Sequence, residues 1–509
     1  MMTFQEAIAR LLCPAAARPD RGDKPAVIQA ASPGGSAADR IVTYKELQAL
    51  IGRAQTALSK AGVGRGDTVL LCAPNSPELT AAILAAWRLG AIALPVDFRL
   101  TLAELENLVD RIRPRVICTK EQLTEKAETI ELAKLPDSIT DFSTEAAAAI
   151  AEETAALIIL TSGTTGVPKG AVHGLGSLLN NLSELGETFG MSEDDRAFLP
   201  LPISHIFGLE IMLASVIFGC GVVLSDFRLA DFWTTVIRLR TTMVVGVPTI
   251  YGALISIPSP SVSEIPVKYY LSGGAPLPVS LAQEFERRFE KRIIEGYGTT
   301  ETKILCFNAD GPLGSIGRPL PSVIIEIVDS ADQVLPEGGS GELRVSGPSL
   351  MTGYLSQPEA TQLVLHQGHY HTGDIGYFRE GRLYISGRLK EMIIVAGNKV
   401  FPSEVETVLR QHPIAHEVAV LGVPHTKLGQ LVKAVVVVKA GELCDLLCGD
   451  SGQVKEGKEK LTAVFREFCQ QHLKRELRPM AWEFRPLSCP LPKTLSGKID
   501  KKQLEAASV

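Results

Sequence analysis

The stretch Ala156-Leu-Ile-Ile-Leu-Thr-Ser-Gly-Thr-Thr-Gly-Val-Pro-Lys-Gly170 constrains this chain more than any other. Its apolar run, Leu157 to Leu160, reads as a buried strand. The strand empties into a loop where Gly163, Gly166 and Gly170 alternate with the hydroxyls of Thr161, Ser162, Thr164 and Thr165, and Lys169 stands near the far end. Polyphosphate needs this chemistry. Glycines let the backbone approach closely, amide and hydroxyl groups donate to phosphoryl oxygens, and an ammonium offsets the negative charge. The P-loop pattern Gly-x4-Gly-Lys-Ser/Thr is excluded by position. The fifth residue after Gly163 is Pro168, and Lys169 is followed by Gly170, which has no hydroxyl for a metal. The competing reading is a Ser/Thr/Gly surface loop.

The chain around this stretch alternates strands and helices. Helical spacing runs from Tyr44 through Leu58, a strand covers Thr68 to Cys72, a helix Glu78 to Leu89, and a short strand Ala91 to Pro95. Strands separated by crossovers of this length predict a parallel sheet covered on both faces. Two later strands end in glycine-rich loops: 269–278, leading into a helix over Ser280 to Phe289, and 292–301, expected to do the same. In open α/β sheets ligands sit at the carboxyl ends of strands, so these loops are expected to converge with the opening stretch. From Gly314 to about Gly387, short strands (Val323 to Val328, Gly341 to Val345) between Pro/Gly/Asp turns predict a small antiparallel β unit. The remainder reads as a small α+β domain with a helix over Ser403 to Arg410, strands over Val418 to Gly422 and Lys433 to Lys439, and a polar, glycine-bearing, exposed excursion from Gly441 to Lys458.

At 509 residues the chain is long enough for two or three domains. Net charge is −6, with Lys+Arg 51 against Asp+Glu 57, which excludes a general basic field for nucleic acid. The nine cysteines lack metal or disulfide spacing, which predicts reduced thiols in a cytoplasmic protein. No signal peptide is visible, and no apolar run reaches the ~20 residues of a membrane span. Leu209 to Leu224 is apolar but shorter, and leaves a peripheral membrane contact open.

Further motifs follow in order: Leu199-Pro-Leu-Pro-Ile-Ser-His-Ile-Phe-Gly208, Ser272-Gly-Gly-Ala-Pro276, Tyr297-Gly-Thr-Thr-Glu301, Tyr370-His-Thr-Gly-Asp374, Gly387-Arg-Leu-Lys-Glu391 and Pro492-Lys-Thr-Leu-Ser-Gly-Lys498. Together with the phosphate loop, these strongly resemble the acyl-adenylate-forming superfamily, which includes acyl-CoA synthetases, peptide-synthetase adenylation domains and firefly luciferase. The resemblance covers almost the whole chain. It implies an α/β fold: a large multi-part N-terminal domain of doubly wound sheets plus a small β unit over residues 1–388, then a small mobile α+β lid over residues 389–509. It also implies a two-step reaction, in which a carboxylate attacks the α-phosphate of ATP to give acyl-AMP and pyrophosphate, and a thiol then takes the acyl group.

Each motif has a physical task in that chemistry. Tyr297 offers a flat face to a purine, and Gly273, Gly274 and Ala275 let backbone lie close to the other face; ordinary core packing is the alternative for Tyr297. Gly298 and Thr299 continue that motif. Thr300 is expected to donate to the α-phosphate. Glu301 suits Mg2+, which is held by one or two carboxylates plus phosphate oxygens; its alternative is a solvated carboxylate at a helix entry. Asp374 is the expected reader of the ribose hydroxyls, or else an Asx-turn residue. Arg388 adds donors to ribose or phosphate. By resemblance, Lys498 bridges the substrate carboxylate and the α-phosphate, an ammonium placed where charge develops. The resemblance places His205 as a gate beside the carboxylate pocket, Lys390 at an interdomain hinge, and the loop of Gly397 along a tunnel for pantetheine.

The acid is read from what is missing. Ile206-Phe207-Gly208-Leu209 lacks the Asp with which amino-acid-activating relatives hold an ammonium, and Gly296 stands where malonate-activating relatives have Arg. Phe207, Leu209, Met212, Val245 and Ile250 are apolar, so a fatty or aryl monocarboxylic acid is expected. The expected acceptor is CoA, with the phosphopantetheine of an acyl carrier protein as the alternative, and the tail Gly497-Lys-Ile-Asp-Lys-Lys502 resembles the carrier-protein-loading members of the superfamily slightly more than the CoA ligases. Lys399, Lys427, Lys433, Lys474, Arg475 and Arg478 offer basic side chains to either acceptor. A non-catalytic nucleotide-binding homologue would lack Lys498, Glu301 or Asp374, and all of these are present.

Overall fold

Apolar β-branched runs closed by glycine build two mostly parallel sheets in the first of two compact units, Met1–Ile325 with Val345–Tyr370. The computed structural model describes residues 2–31, 38–121, 123–140, 142–161, 168–449, 451–493 and 499–506. One sheet has seven strands, in the order Gly353–Tyr354, Lys169–Gly174, Ala155–Thr161, Ile92–Pro95, Thr68–Cys72, Val116–Thr119 and Thr129–Glu131. Its interior pairs are parallel, and the two pairs at the Gly353 edge are antiparallel. Strands buried on both faces need no alternation, which is why Leu157 to Leu160 reads as an unbroken apolar run.

The second sheet has nine strands and follows the same rule. Five parallel pairs join Pro25–Gln29, Gly221–Leu224, Arg196–Leu199, Met243–Gly246, Tyr269–Ser272 and Ile293–Thr299. Antiparallel pairs close it at both ends. Helix Val279–Phe289 covers it through Ala282, Phe285 and Phe289, which pack on Val244, Tyr270 and Ile293 in the core.

Two expectations for this unit are corrected. Residues 292–301 do not lead from a strand through a loop into a helix: Ile293–Thr299 turns at 300–302 and returns antiparallel as Lys303–Asn308. Helix Ile206–Phe218, which makes up most of the apolar run from Leu209, is apolar on nearly every side, Glu210 and Ser215 apart, because it is buried all round, with Leu209 to Ile217 inside. It therefore presents no face to a membrane. It stops at Gly219, whose φ of 80° suits a left-handed C-terminal cap. No helix among the described residues is long and apolar enough to cross a membrane.

The second unit comprises Glu326–Arg344 and His371–Val509. Here His369–Arg379 pairs antiparallel with Arg382–Arg388. A separate five-stranded sheet runs Asn398–Val400, Ile393–Val395, Gly429–Val438 and Ala415–His425, with Ala481–Arg485 parallel to Gly429–Val438. On one face lie helices Pro402–Leu409 and Ser451–His472, through Val405, Leu409, Leu461, Phe465 and Cys469. On the other, Leu491, Ile499 and Leu504 of the C-terminal segment pack on Ala419, Leu421, Val435 and Val437. The described residues of the stretch from Gly441 to Lys458 are mostly exposed, as expected of an excursion, and they carry helices that the sequence did not announce. Glu442–Leu446 and the start of Ser451–His472 form there, and Cys444 is buried in the core.

Candidate active site

The opening stretch forms a hairpin. Thr161 at the end of Ala155–Thr161 faces Lys169 at the start of Lys169–Gly174, so the two close the neck of the loop. Ser162, Gly163, Thr164, Thr165 and Gly166 lie outside the described residues. The Lys169 ammonium sits 4.9 Å from the centroid of the Tyr354 ring, a cation–π distance.

Tyr269–Ser272 and Ile293–Thr299 are parallel neighbours, so Gly273, Gly274 and Ala275, which follow the first strand, come beside the last residues of the second, among them Tyr297. Gly274 has φ +77° and nothing within 4 Å of where a Cβ would stand. At Gly273 a Cβ would come 3.0 Å from the Phe207 ring, so the expected acid pocket and the glycine loop touch there. Tyr297 is half-buried. His205 caps helix Ile206–Phe218, its Nδ1 accepting from the Phe207 amide at 3.4 Å.

The turn after Thr299 is held from several directions. The Thr299 amide donates to Thr302 Oγ1 at 3.1 Å. The Thr300 carbonyl lies 2.8 Å from His173 Nε2. The Glu301 carbonyl accepts from the Met351 amide at 2.7 Å, and its Oε1 accepts the Tyr354 hydroxyl at 2.7 Å. Gly298 is required by contact, since a Cβ would fall 2.1 Å from the Lys303 carbonyl oxygen.

Asp374, Arg388 and Gly397 belong to the second unit. Asp374 and Arg388 face each other on paired strands, and Arg388 Nε lies 2.8 Å from Asp374 Oδ1. Asp374 is 2% exposed. Its turn is anchored by Glu342, which accepts the Gly373 amide at 2.9 Å and meets His371 Nδ1 at 3.3 Å. Ala396 and Gly397, with φ of 48° and 86°, form the two-residue turn between Val395 and Asn398. No atom lies within 4 Å of a Gly397 Cβ position, so within this unit the turn geometry, not close approach, is what asks for glycine. Lys498 lies outside the described residues.

The model of the AMP-binding enzyme family matches residues 15–355, and that of the AMP-binding enzyme C-terminal domain matches residues 404–498. The chain belongs to the AMP-binding enzymes. It is 31% identical over 427 residues to the long-chain-fatty-acid–CoA ligase FadD13 of Mycobacterium tuberculosis, covering 79% of this chain and 84% of that one. With a feruloyl-CoA synthase of an Amycolatopsis species it shares 32% over 430 residues, 81% and 86% of the two chains. The crystal structure of ATP-bound MatB from Rhodopseudomonas palustris superposes with a TM-score of 0.85 at 26% identity, covering 98% of both chains.

This AMP-binding enzyme also supports its motif residues with side chains that the sequence did not single out. Tyr354 is buried, and burial, together with the Glu301 charge, pushes its hydroxyl well above the usual tyrosine range. It therefore stays protonated and donates. Lys303, 1% exposed, lies beneath the turn: its Nζ is 3.1 Å from His173 Nδ1 and 2.8 Å from Ser177 Oγ, and it also donates to the Ser349 carbonyl. Burial lowers Lys303 to about 7 and raises the buried Glu210 carboxyl to about 8. His173 falls well below its ordinary value through burial and the Lys303 charge, so its ring is neutral. Only contacts across the fold mark these residues.

The donor set suits a nucleotide with Mg2+. No cluster of three metal-ligating side chains exists among the described residues. A magnesium ion at Glu301 would therefore draw the rest of its shell from phosphate and water, as this ion commonly does.

Proposed function

We propose that this enzyme is an ATP-dependent ligase that joins an apolar carboxylic acid, fatty or aryl, to the thiol of CoA through an acyl-adenylate. The observation that carries the reading is the Thr300–Glu301 turn. It is held by His173, Met351 and Tyr354 beside the Gly273 loop, which supports its reading as the edge that meets the phosphates. The names of the relatives agree with it, one a fatty and one an aryl acid ligase.

In the first half-reaction a carboxylate oxygen of the acid attacks the α-phosphorus of ATP. The bond from that phosphorus to the bridging oxygen of pyrophosphate breaks. Thr161, Lys169 and the loop 162–166 receive the β- and γ-phosphates, and Thr300 donates to the α-phosphate. Glu301 would hold Mg2+, which would supply charge neutralisation at the phosphates. Tyr297 and residues 273–275 flank the purine, while Asp374 accepts from the ribose hydroxyls with Arg388 beside it. Lys498 stabilises the charge that grows on the α-phosphoryl group, and His205 stands at the mouth of the acid pocket. In the second half-reaction the sulfur of CoA attacks the acyl carbon, and the bond to AMP breaks. Residues 1–388 then act as the adenylating core and 389–509 as the moving lid, with Lys390 as pivot and the Gly397 loop along the pantetheine path. All nine cysteines are free, which supports a reducing compartment, the cytoplasm.

The test is pyrophosphate exchange with ATP across a panel of acids. Exchange is expected with fatty or aryl acids and not with glycine, alanine or malonate, whose second charge an apolar pocket leaves unpaired. Acid-independent hydrolysis to ADP without AMP would overturn adenylation.

A further inference from the structure

The C-terminal segment is tied to the second unit on both sides of residues 494–498. Upstream, Lys493 Nζ lies 2.6 Å from Glu417 Oε1, and the Leu491 amide donates to Glu417 Oε2 at 3.1 Å. Lys493 and Ile499 form an antiparallel bridge, and the Asp500 amide donates to the Pro492 carbonyl at 2.8 Å. Downstream, Lys501 opens the helix Lys501–Ala506, and its ammonium faces two carboxylates, Glu391 Oε2 at 3.0 Å and Glu406 Oε1 at 2.9 Å.

Those two carboxylates come from different elements. Glu391 ends the turn Leu389–Glu391, next to the proposed pivot Lys390. Glu406 lies in helix Pro402–Leu409, is 6% exposed, and also takes the Val420 amide at 2.9 Å and an Arg410 guanidinium nitrogen at 3.1 Å. Burial opposes the charge on Lys501, and the Glu406 and Glu391 carboxylates outweigh it, holding the ammonium above its ordinary value. An exposed Lys–Glu pair is worth little because water competes for it. This one is partly enclosed and three-cornered, and truncating one corner strands buried charge.

We propose that Lys501 is a positioning residue for the acid-activating half-reaction. It locks the chain three residues after Lys498 to the turn at 389–391 and to helix Pro402–Leu409, and so sets where Lys498 is carried. Packing through Leu491, Ile499 and Leu504 keeps the segment on its sheet without this link, so Lys501 governs placement and not attachment. The inference rests on Lys498 acting in the first half-reaction as proposed above.

The experiment measures the two half-reactions separately in the full-length enzyme, with Lys501→Met and Lys501→Arg beside the unsubstituted protein. Lys501→Met is expected to slow acid-dependent pyrophosphate exchange by about 100-fold, the cost of misplacing a catalytic group by an ångström. Thioester formation from supplied acyl-AMP should stay within about two-fold, because that step does not use Lys498. Lys501→Arg should recover most of the exchange, since it keeps the charge between the two carboxylates. Glu391→Gln, which leaves the Glu406 contact standing, should slow exchange alone and by less. Equal slowing of both half-reactions, or unaltered exchange in Lys501→Met, would overturn the proposal. Absence of acid-dependent exchange in the unsubstituted enzyme would instead remove the adenylation reading itself, and the inference with it.

Discussion

At the scale of single residues, the chemistry depends on side chains held by neighbours far away in sequence. Tyr354 touches Lys169 with its ring and Glu301 with its hydroxyl. Tyr354→Phe keeps the first contact and removes the second. A hydrogen bond to a charged group contributes about 1.5–3 kcal/mol, so pyrophosphate exchange is expected to fall roughly 10- to 100-fold. Raising Mg2+ should restore part of it; exchange equal to the unsubstituted enzyme would show that Glu301 needs no such partner. Glu295, two residues before Tyr297, gives a pH signature. It is buried, accepts the Leu277 amide at 2.8 Å, and is pushed by burial to about 7. Between the ordinary glutamate value and about 7 the native carboxyl keeps a proton that the unfolded chain has released. Stability therefore falls as pH rises through that window, by on the order of 3 kcal/mol, and levels off above it. Glu295→Gln preserves the acceptor and abolishes the loss. Urea midpoints of the two proteins should be similar near pH 5, with the variant ahead at pH 8; parallel pH profiles would show that Glu295 is ionised throughout.

At the scale of elements, much was legible before the fold was seen. The strand Thr68–Cys72 and the helix from Tyr44 were marked by apolar runs and spacing. The hairpin Ile293–Asn308 was not. Thr-Thr-Glu after a glycine carries the signature of a helix entry, and the preceding strand–loop–helix at 269–289 strengthened that expectation. What decides otherwise is Lys303, which takes a left-handed φ of 62° and places its side chain beneath the turn against His173. No local preference announces a lysine in that conformation. The helices over Gly441 to Lys458 were hidden differently. Their polar composition reads as an exposed excursion, and only Cys444 and the residues from Leu461 onward reveal an inward face once the sheet is in place. The motif residues, in contrast, were readable because each is a residue type demanded by phosphate, purine or ribose. Their supports, Tyr354, His173 and Glu342, are ordinary residues whose meaning lies in contact.

At the scale of the whole molecule, the acceptor of the acyl group is set by what the lid presents around the thiol. CoA and a carrier protein present the same pantetheine arm and differ in what stands behind it. CoA brings a phosphorylated adenosine that asks for a small basic patch, whereas a carrier protein brings an acidic helix that asks for a broad basic and apolar dock. Of the six basic side chains that the sequence offers, two are engaged inside the second unit. Lys433 pairs with Glu483 at 2.7 Å, and Arg478 donates to the Leu473 and Gln470 carbonyls at 2.9 and 3.0 Å. Lys399, Lys427, Lys474 and Arg475 are exposed, and Ile394, 48% exposed, lies opposite Lys399 in the hairpin. The hairpin strand Asn398–Val400 lies against the turn Arg475–Leu477, which puts Lys399 and Arg475 on neighbouring elements, and a small basic patch of this kind suits a nucleotide phosphate better than a helix-sized dock. CoA is therefore the expected acceptor. Purified acyl-AMP supplied with either free CoA or a phosphopantetheinylated carrier protein, at matched thiol concentration, should yield acyl-CoA rapidly and acylated carrier slowly. The CoA rate should fall as salt rises, because the contact is between exposed charges. Ready acylation of the carrier with CoA ignored would replace the CoA ligase by an acyl-carrier-protein ligase, and would point to Ile394 and Lys399 as the centre of its dock.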